Sequence, residues 1–295
     1  MTVAETPAHL AEGAARTITD HIRRTLARRQ RCVLALTGGS TPAATYRNLA
    51  RMPVPWERVH IIQTDDHLTE AGDGPSWRTV VEHLLEPAAV PAENRHPMPV
   101  GTRLDPREAA QAYGHLLGTL LTDGAPDVVV AGLGEDGHTA SLFHGDPALD
   151  TARWVAVTRP YQNTTRMTLT LPVLSGAGLR LVLATGRGKA AAVARLLGGD
   201  DPSLTAVRTV LGDDGHLLVD ETAAAGPYGA GGETAAAGPY AVGDVTAAAG
   251  PYGAGGETTA AGPYAAGDVT AAAGPYGAGG ETAAGPHGTA RPAPR

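Results

Sequence analysis

The sequence has little cysteine, few aromatic residues and no long apolar run. Its 295 residues include one Cys and one Phe, and aromatic residues make up 4% of the chain. The single thiol, Cys32, excludes an internal disulfide framework and a cysteine-based metal site. Its position in the apolar run RCVLAL predicts a buried, inert side chain. No apolar stretch reaches the roughly 18 residues of a membrane span, so no membrane partner is expected.

Positive charge is also scarce. The chain has 23 Lys and Arg against 30 Asp and Glu, a formal net charge of −7, so it lacks the basic footprint of a nucleic-acid-binding protein. The N-terminal segment has no apolar signal-peptide core. It predicts an amphipathic helix, with apolar residues at helical spacing: Leu10, Ala14, Ile18, Ile22 and Leu26. A transit peptide is the alternative, but Glu5, Glu12 and Asp20 disfavour it, and a cytoplasmic location is expected.

Leu, Ile, Met, Phe and Trp are all absent after residue 220. There the chain repeats a twelve-residue unit, ETAAAGPYGAGG, whose register is marked by Tyr228, Tyr240, Tyr252, Tyr264 and Tyr276. A solenoid repeat needs an apolar face to stack on its neighbour, and this unit offers none. We therefore predict one folded domain, large enough for an enzyme, over residues 1–225. Residues 226–295 are predicted to be a disordered, low-complexity repeat tail, and the sequence does not indicate a partner for this tail.

Before the tail, apolar β-rich runs alternate with amphipathic stretches. The predicted strands are 31–37, 58–63, 127–131, 153–158, 166–170 and 179–184, and the predicted helices lie near 43–51, 77–86, 106–121 and 187–197. This alternation indicates an α/β fold: a three-layer α/β/α sandwich with a mostly parallel, Rossmann-like sheet. Ligands of such sheets bind beyond the carboxyl ends of the strands, so the loops there are candidate sites.

The first candidate loop runs from Gly38 to Pro42. Ser40 or Thr41 suits the N-cap of the following helix, and Pro42 suits its first position. Gly38 and Gly39 allow backbone N–H groups to approach an anion at the positive end of that helix. A phosphate cradle and an ordinary capped turn are both compatible with this pentapeptide.

The second loop, 132–143, reads GLGEDGHTASLF and begins with a G-x-G-x-x-G match. That dinucleotide fingerprint requires a full helix next, whereas Gly145 and Pro147 follow almost at once, so no nucleotide cofactor is expected. Asp136 and His138 remain, and a histidine beside a carboxylate is a natural general base; a structural histidine is the alternative. Ser141 lacks the G-x-S-x-G elbow of serine hydrolases, and no third ligand joins His138 to form a metal site.

Two further sets of polar residues lie at predicted strand ends. Asp65 and Asp66 directly follow the strand 58–63 and Thr64. They either orient sugar hydroxyls, change the basicity of His138 or cap the next segment. Arg166 begins the strand 166–170, and Lys189 begins a helix after a Gly-x-Gly turn. Each cation is either a phosphate contact or a solvated surface charge, and Lys189 has the better position for a phosphate.

The order and spacing of five segments resemble the 6-phosphogluconolactonases, a family grouped with glucosamine-6-phosphate deaminase and ribose-5-phosphate isomerase A. The segments are LALTGGSTPAATYRNLA, the Asp65–Asp66 turn, GLGEDGHTASLFHG, RMTLT and ATGRGKAAAVARLL, and the resemblance covers about residues 5–225. It implies hydrolysis of 6-phospho-D-glucono-1,5-lactone in the oxidative branch of the pentose phosphate pathway, without metal or cofactor. His138 would activate water, with Asp136 and Asp65 supporting it. The substrate and its phosphate would be held by Gly38, Gly39, Ser40, Thr41, His67, Arg166 and Lys189.

The chain departs from the pattern of that family at a few positions. Asp66 and His67 stand where Glu-Arg is usual, Trp77 stands where Asn is usual, and His144 replaces a proline. His67 is shorter than arginine and is not always charged. These altered positions leave open a sugar-phosphate-binding module that has lost catalysis. A sugar-phosphate isomerase or deaminase that uses the same His138 is the enzymatic alternative.

Overall fold

A computed structural model describes residues 1–226, so the repeats predicted to be disordered lie outside the described residues. The strands are β1 (Thr2–Ala4), β2 (Cys32–Leu36), β3 (Val59–Gln63), β4 (Asp65–His67), β5 (Arg95–His96), β6 (Val128–Gly132), β7 (Val155–Val157), β8 (Arg166–Leu169), β9 (Leu179–Ala184) and β10 (His216–Asp220). The helices are α1 (Pro7–Leu26), α2 (Ser40–Leu49), α3 (Pro75–Val80), α4 (Pro106–Leu120), α5 (Leu171–Ser175), α6 (Ala190–Gly198), α7 (Thr205–Leu211) and α8 (Glu221–Ala224). Within this part of the chain no helix is long and apolar enough to span a membrane.

Seven strands form one parallel sheet in the order β1-β10-β9-β6-β2-β3-β5. Alternate residues of β2 face two separate hydrophobic cores: Leu34 and Leu36 lie in one, Val33 and Ala35 in the other. The first core holds α1, α2 and α3, and the second holds α4 to α8. A sheet buried on both faces needs continuous apolar strands, and the predicted three-layer α/β fold is confirmed.

Helix α1 forms where the sequence predicts it. Its buried residues include Leu10, Ile18 and Ile22 at helical spacing, and Thr6 caps the N-terminus by accepting a hydrogen bond from the N–H of His9. Pro7 occupies the first turn, where a missing N–H costs nothing. Each fully buried Leu or Ile contributes roughly 1.5–3 kcal/mol by leaving water, so this face holds the helix on the sheet.

A small second sheet corrects the predicted topology. The runs 153–158 and 166–170, which we assign to the parallel sheet from sequence, instead form β7 and β8, which pair antiparallel with each other. β8 also pairs antiparallel with β4 on its other edge. Only residues 158–165 separate β7 from β8, too few for the crossover of about a dozen residues that parallel pairing requires. The second sheet places β4 and β8 beside the carboxyl edge of the first.

Several element ends also differ from prediction. Helix α2 starts at Ser40 with Gly39 as its N-cap, so neither Ser40 nor Thr41 is the cap and Pro42 is not the first residue. Gly39 takes this place because its φ of +106° lies in the region that glycine tolerates. The predicted helix 77–86 divides into α3 and a π-helical turn, Val81–Leu85. The strands β1, β4 and β5 are two or three residues long, too short to show periodicity in the sequence.

Candidate active site

A cavity of about 600 Å³ opens at the carboxyl edge of the parallel sheet. The loops after β2, β3, β6 and β9 line it, together with β8 and the hairpin that leads into it. The sequence-predicted site residues on its lining are Gly38, Gly39, Asp65, His67, Asp136, His138, Arg166 and Lys189. Ser40 and Thr41 do not line it: Ser40 is exposed, and the Thr41 hydroxyl lies 2.7 Å from that of Thr185.

His138 and Asp136 form a close pair in this cavity. Nδ1 of His138 lies 2.5 Å from Oδ1 of Asp136, and the backbone N–H of His138 donates to the same oxygen at 3.2 Å. Burial opposes ionisation of Asp136, but the hydrogen bonds from His138 and Tyr161 outweigh it and hold the pKa of Asp136 well below its ordinary value. With Nδ1 engaged by a carboxylate, Nε2 is the basic nitrogen that His138 offers to a ligand.

The loop that carries the pair is closed on itself. The N–H of Gly134 donates to the carbonyl of His138 at 2.7 Å, and that of Gly137, at a φ of +104°, donates to the carbonyl of Gly134 at 3.0 Å. A Cβ on residue 134 would lie 2.2 Å from Nδ1 of His138 and 2.6 Å from Oδ1 of Asp136. The glycines of this G-x-G-x-x-G match therefore permit a tight turn around a histidine–carboxylate pair.

Asp65 connects three parts of the site. Its side chain is buried, 6% exposed. Oδ1 accepts hydrogen bonds from the hydroxyls of Thr64 at 2.7 Å and Thr37 at 3.3 Å, and Oδ2 accepts one from Ser141 at 2.7 Å. Ser141 is itself fully buried and lies outside the cavity lining. Asp65 thus acts on the site by holding the surrounding loops, while the carboxylate bonded to His138 is that of Asp136.

Asp66 is fully buried, does not line the cavity, and caps α3. Its carboxylate accepts hydrogen bonds from the backbone N–H groups of Ser76 at 3.1 Å and Trp77 at 2.9 Å, and from Nε2 of Gln63 at 2.8 Å. Burial raises the pKa of Asp66, and these hydrogen bonds oppose that rise. Of the alternatives drawn from sequence, capping is the one that the contacts of Asp66 support.

Besides His138, the basic side chains that line the cavity are His67, Arg166 and Lys189. His67 and Arg166 are cross-strand partners in the β4–β8 pairing. Burial and the neighbouring Arg166 lower the pKa of His67. Nε of Arg166 is buried with no hydrogen-bond partner among the described residues. Because Arg166 also lines the cavity, its planar guanidinium is suited to a bidentate contact with an anionic ligand.

Sequence reasoning missed an aromatic group at this site. The rings of Phe143 and Tyr161 stack with centroids 3.9 Å apart, and the guanidinium carbon of Arg166 lies 5.2 Å from the Phe143 centroid. The Tyr161 hydroxyl donates to Oδ2 of Asp136 at 2.5 Å. The only sequence signal for Tyr161 is a polar aromatic residue a few positions before RMTLT, which does not indicate what its hydroxyl contacts.

The remaining departures from the family pattern lie outside the cavity. Trp77 is 4% exposed and packs in the core shared by α1, α2 and α3, while its neighbour Ser76 lines the cavity. His144 is exposed and does not line the cavity. Neither Trp77 nor His144 therefore places its side chain in the cavity.

Comparison with known proteins identifies the family. The family described as glucosamine-6-phosphate isomerases/6-phosphogluconolactonase matches residues 5–219. A 6-phosphogluconolactonase from Synechocystis sp. is 34% identical over 187 residues, which cover 61% of this chain and 77% of that protein. One from Rhizobium meliloti is 33% identical over 222 residues, covering 72% and 93%. The structure of 6-phosphogluconolactonase from Trypanosoma brucei superposes with a TM-score of 0.65 at 27% identity, covering 75% of this chain and 96% of its own. The chain therefore belongs to the glucosamine-6-phosphate isomerase/6-phosphogluconolactonase family.

Proposed function

We propose that this chain hydrolyses 6-phospho-D-glucono-1,5-lactone to 6-phospho-D-gluconate, with His138 as the general base. The observation that carries the proposal is a single cavity in which His138, held by Asp136, lies with the cations Arg166 and Lys189. A basic nitrogen and an anion-binding group are the two features that hydrolysis of a phosphorylated lactone requires. The similarity of the chain to 6-phosphogluconolactonases from Synechocystis sp. and Rhizobium meliloti supports the same substrate.

The reaction needs one proton acceptor that later becomes a donor. Nε2 of His138 takes a proton from water as the water oxygen attacks the lactone carbonyl carbon. The imidazolium that forms is stabilised by the ionised carboxylate of Asp136 on Nδ1. The tetrahedral intermediate then collapses, the bond from the carbonyl carbon to the ring oxygen breaks, and His138 returns its proton to that oxygen. The product is an open-chain acid that ionises to the carboxylate.

Two further parts of the cavity complete the proposal. Gly38 and Gly39 line it just before the N-terminus of α2, where backbone N–H groups and the helix dipole favour a phosphate. The remaining contacts with the substrate would come from Arg166, Lys189 and His67. Asp65 would hold the loop that carries His138 in place through its hydrogen bond with Ser141. We further propose that the protein acts in the cytoplasm. Its partner in this proposal is a small sugar-phosphate lactone, and no nucleic acid is bound.

The test is hydrolysis of freshly prepared 6-phosphogluconolactone, measured as acid release against the spontaneous rate. Acceleration by the purified full chain, absent after heat inactivation, supports the proposal. Release of ammonia from glucosamine 6-phosphate, without lactone hydrolysis, would instead identify a deaminase. If neither reaction is accelerated but 6-phosphogluconate binds in calorimetry, the chain is a sugar-phosphate-binding module.

A further inference from the structure

Asp136 uses both of its carboxylate oxygens. Oδ1 lies 2.5 Å from Nδ1 of His138, and Oδ2 accepts the hydroxyl proton of Tyr161 at 2.5 Å. Tyr161 lies 25 residues further along the chain, in the β7–β8 hairpin. The histidine–carboxylate pair of the proposed mechanism is therefore hydrogen-bonded to a third side chain, which comes from the hairpin of the second sheet.

The hairpin holds the backbone of Tyr161 in a tight turn. The N–H of Tyr161 donates to the carbonyl of Thr164 at 2.8 Å, and the N–H of Thr164 donates back at 3.1 Å. Between them, Gln162 and Asn163 have φ values of 50° and 62°. Two successive residues in this left-handed region are typical of a type I′ hairpin turn, whose twist matches that of the paired strands. Non-glycine residues rarely adopt it, and such conformations concentrate at functional sites.

The ring of Tyr161 is also held in place by its neighbours. It stacks on Phe143 at an interplanar angle of 15°, and the Phe143 ring contacts His138 with centroids 4.9 Å apart. The guanidinium carbon of Arg166 lies 5.8 Å from the Tyr161 centroid. The backbone turn and the ring stack together restrict the position of the Tyr161 hydroxyl oxygen, which lies 2.5 Å from Oδ2 of Asp136.

We propose that Tyr161 is a positioning residue for lactone hydrolysis: it holds Asp136, and through Asp136 it orients the imidazole of His138. The kinetic part of this inference rests on the proposed function. Tyr161 exchanges no proton in the reaction. The hydrogen bond to Asp136 and, to a smaller extent, burial raise the pKa of Tyr161, so its hydroxyl remains protonated at neutral pH. A second donor on the carboxylate keeps its orientation constant while His138 gains and loses a proton.

Tyr161→Phe removes the hydroxyl and retains the ring stack. We expect kcat to fall on the order of 10-fold, as for the loss of one hydrogen bond to a charged group, with KM changed less than about 2-fold. Without this donor Asp136 keeps more negative charge and stabilises the imidazolium, so the acid limb of kcat/KM should move to higher pH. The other charged or titratable side chains lining the cavity stay unchanged in the variant: Asp65, His67, Glu135, Arg166 and Lys189.

An Asp136→Ala background separates action through Asp136 from any other role. If Tyr161 acts only through that carboxylate, Tyr161→Phe has no further effect on the residual kcat of Asp136→Ala. The matched control is Tyr113→Phe: this hydroxyl donates to the carbonyl of His96 at 2.8 Å, outside the cavity, and its loss should leave kcat and the pH profile unchanged. Thermal unfolding of each variant verifies that it folds.

A readout without substrate keeps the inference independent of the proposed function. In ¹⁵N-labelled protein, the Nδ1 proton of His138 should resonate far downfield, and Tyr161→Phe should shift it while Tyr113→Phe does not. An unchanged resonance, a rise in KM at constant kcat, or an equal loss of kcat in the Asp136→Ala background would each overturn the positioning role. Failure of the wild-type chain to hydrolyse the lactone would refute the proposed function alone, because the resonance still reports on Tyr161.

Discussion

The hydroxyl of Ser141 donates a 2.7 Å hydrogen bond to Oδ2 of Asp65, although 76 residues separate the two in the chain. Both side chains are buried. Ser141 ends the loop that carries His138, and Asp65 begins β4, so the bond ties the proposed catalytic loop to the neighbouring strand. Asp65 therefore supports the site without contacting the imidazole.

This link predicts a loss of stability in Asp65→Ala. The change leaves the hydroxyls of Thr37, Thr64 and Ser141 without their common acceptor. Buried polar groups without a partner are costly, and the free energy of unfolding should fall by about 2–4 kcal/mol. Urea denaturation measures it. Asp73→Ala, at an exposed position, is the matched control and should change the midpoint little. Equal midpoints for both variants would show that Asp65 has no structural role.

His138→Ala should abolish most of the activity. Removing a general base costs on the order of 10²-fold or more in kcat, and the partly exposed side chain is not a core residue, so the fold should survive. Initial rates of lactone hydrolysis, corrected for the spontaneous reaction, measure the effect. The control is His144→Ala in the same segment, whose side chain is exposed and outside the cavity. Retention of more than about half the rate by His138→Ala would remove this histidine from the mechanism.

Arg166→Ala should discriminate between substrates. If the guanidinium of Arg166, which lines the cavity, binds phosphate, KM for the phosphorylated lactone should rise on the order of 10-fold or more. The unphosphorylated glucono-lactone should show little change, and so should both substrates with Arg159→Ala, an exposed arginine in the same hairpin. Equal losses on both substrates would show that Arg166 contacts the lactone carbonyl or stabilises the fold, and does not bind the phosphate.

Lys189 offers a chemical test of the phosphate position, because it is the only lysine in the sequence. It lines the cavity. Saturating 6-phosphogluconate should therefore slow acylation of Lys189, while the N-terminal amine of the same molecule reacts at an unchanged rate. Mass spectrometry of the two modified peptides provides the measurement and its internal control. Equal acylation of Lys189 with and without ligand would place the phosphate elsewhere.

Asp136 should contribute to stability at neutral but not at strongly acidic pH. Burial opposes its ionisation, but the hydrogen bonds from His138 and Tyr161 hold its pKa below the value of about 3.9 expected in the unfolded chain. As pH falls below about 4, the unfolded chain binds more protons than the folded one, so this contribution is progressively lost. Asp136→Asn should flatten the decline in Tm between about pH 4 and 2.5, measured by calorimetry. An identical decline in both proteins would contradict it.

Much of the fold is predictable from local patterns. The run 31–37 lies on β2, and the apolar positions of α1 are buried as their spacing predicts. The second sheet is not predictable in this way, because β7 and β8 are apolar enough to resemble parallel strands. Their antiparallel pairing follows from the short connection 158–165, a constraint on chain geometry that hydrophobic periodicity does not report.

The sequence by itself determined the contacts that depend on near neighbours. Asp136 and His138 stand two positions apart, with Gly137 between them and Gly134 before them, so a tight local turn is enough to bring the two side chains together. Tertiary structure alone decided that Tyr161 donates to Asp136 and that Ser141 donates to Asp65. The partners in these contacts are distant in sequence and come from different loops, strands and sheets. Which polar groups meet there depends on sheet order and register, and these are set by the burial of many apolar side chains at once.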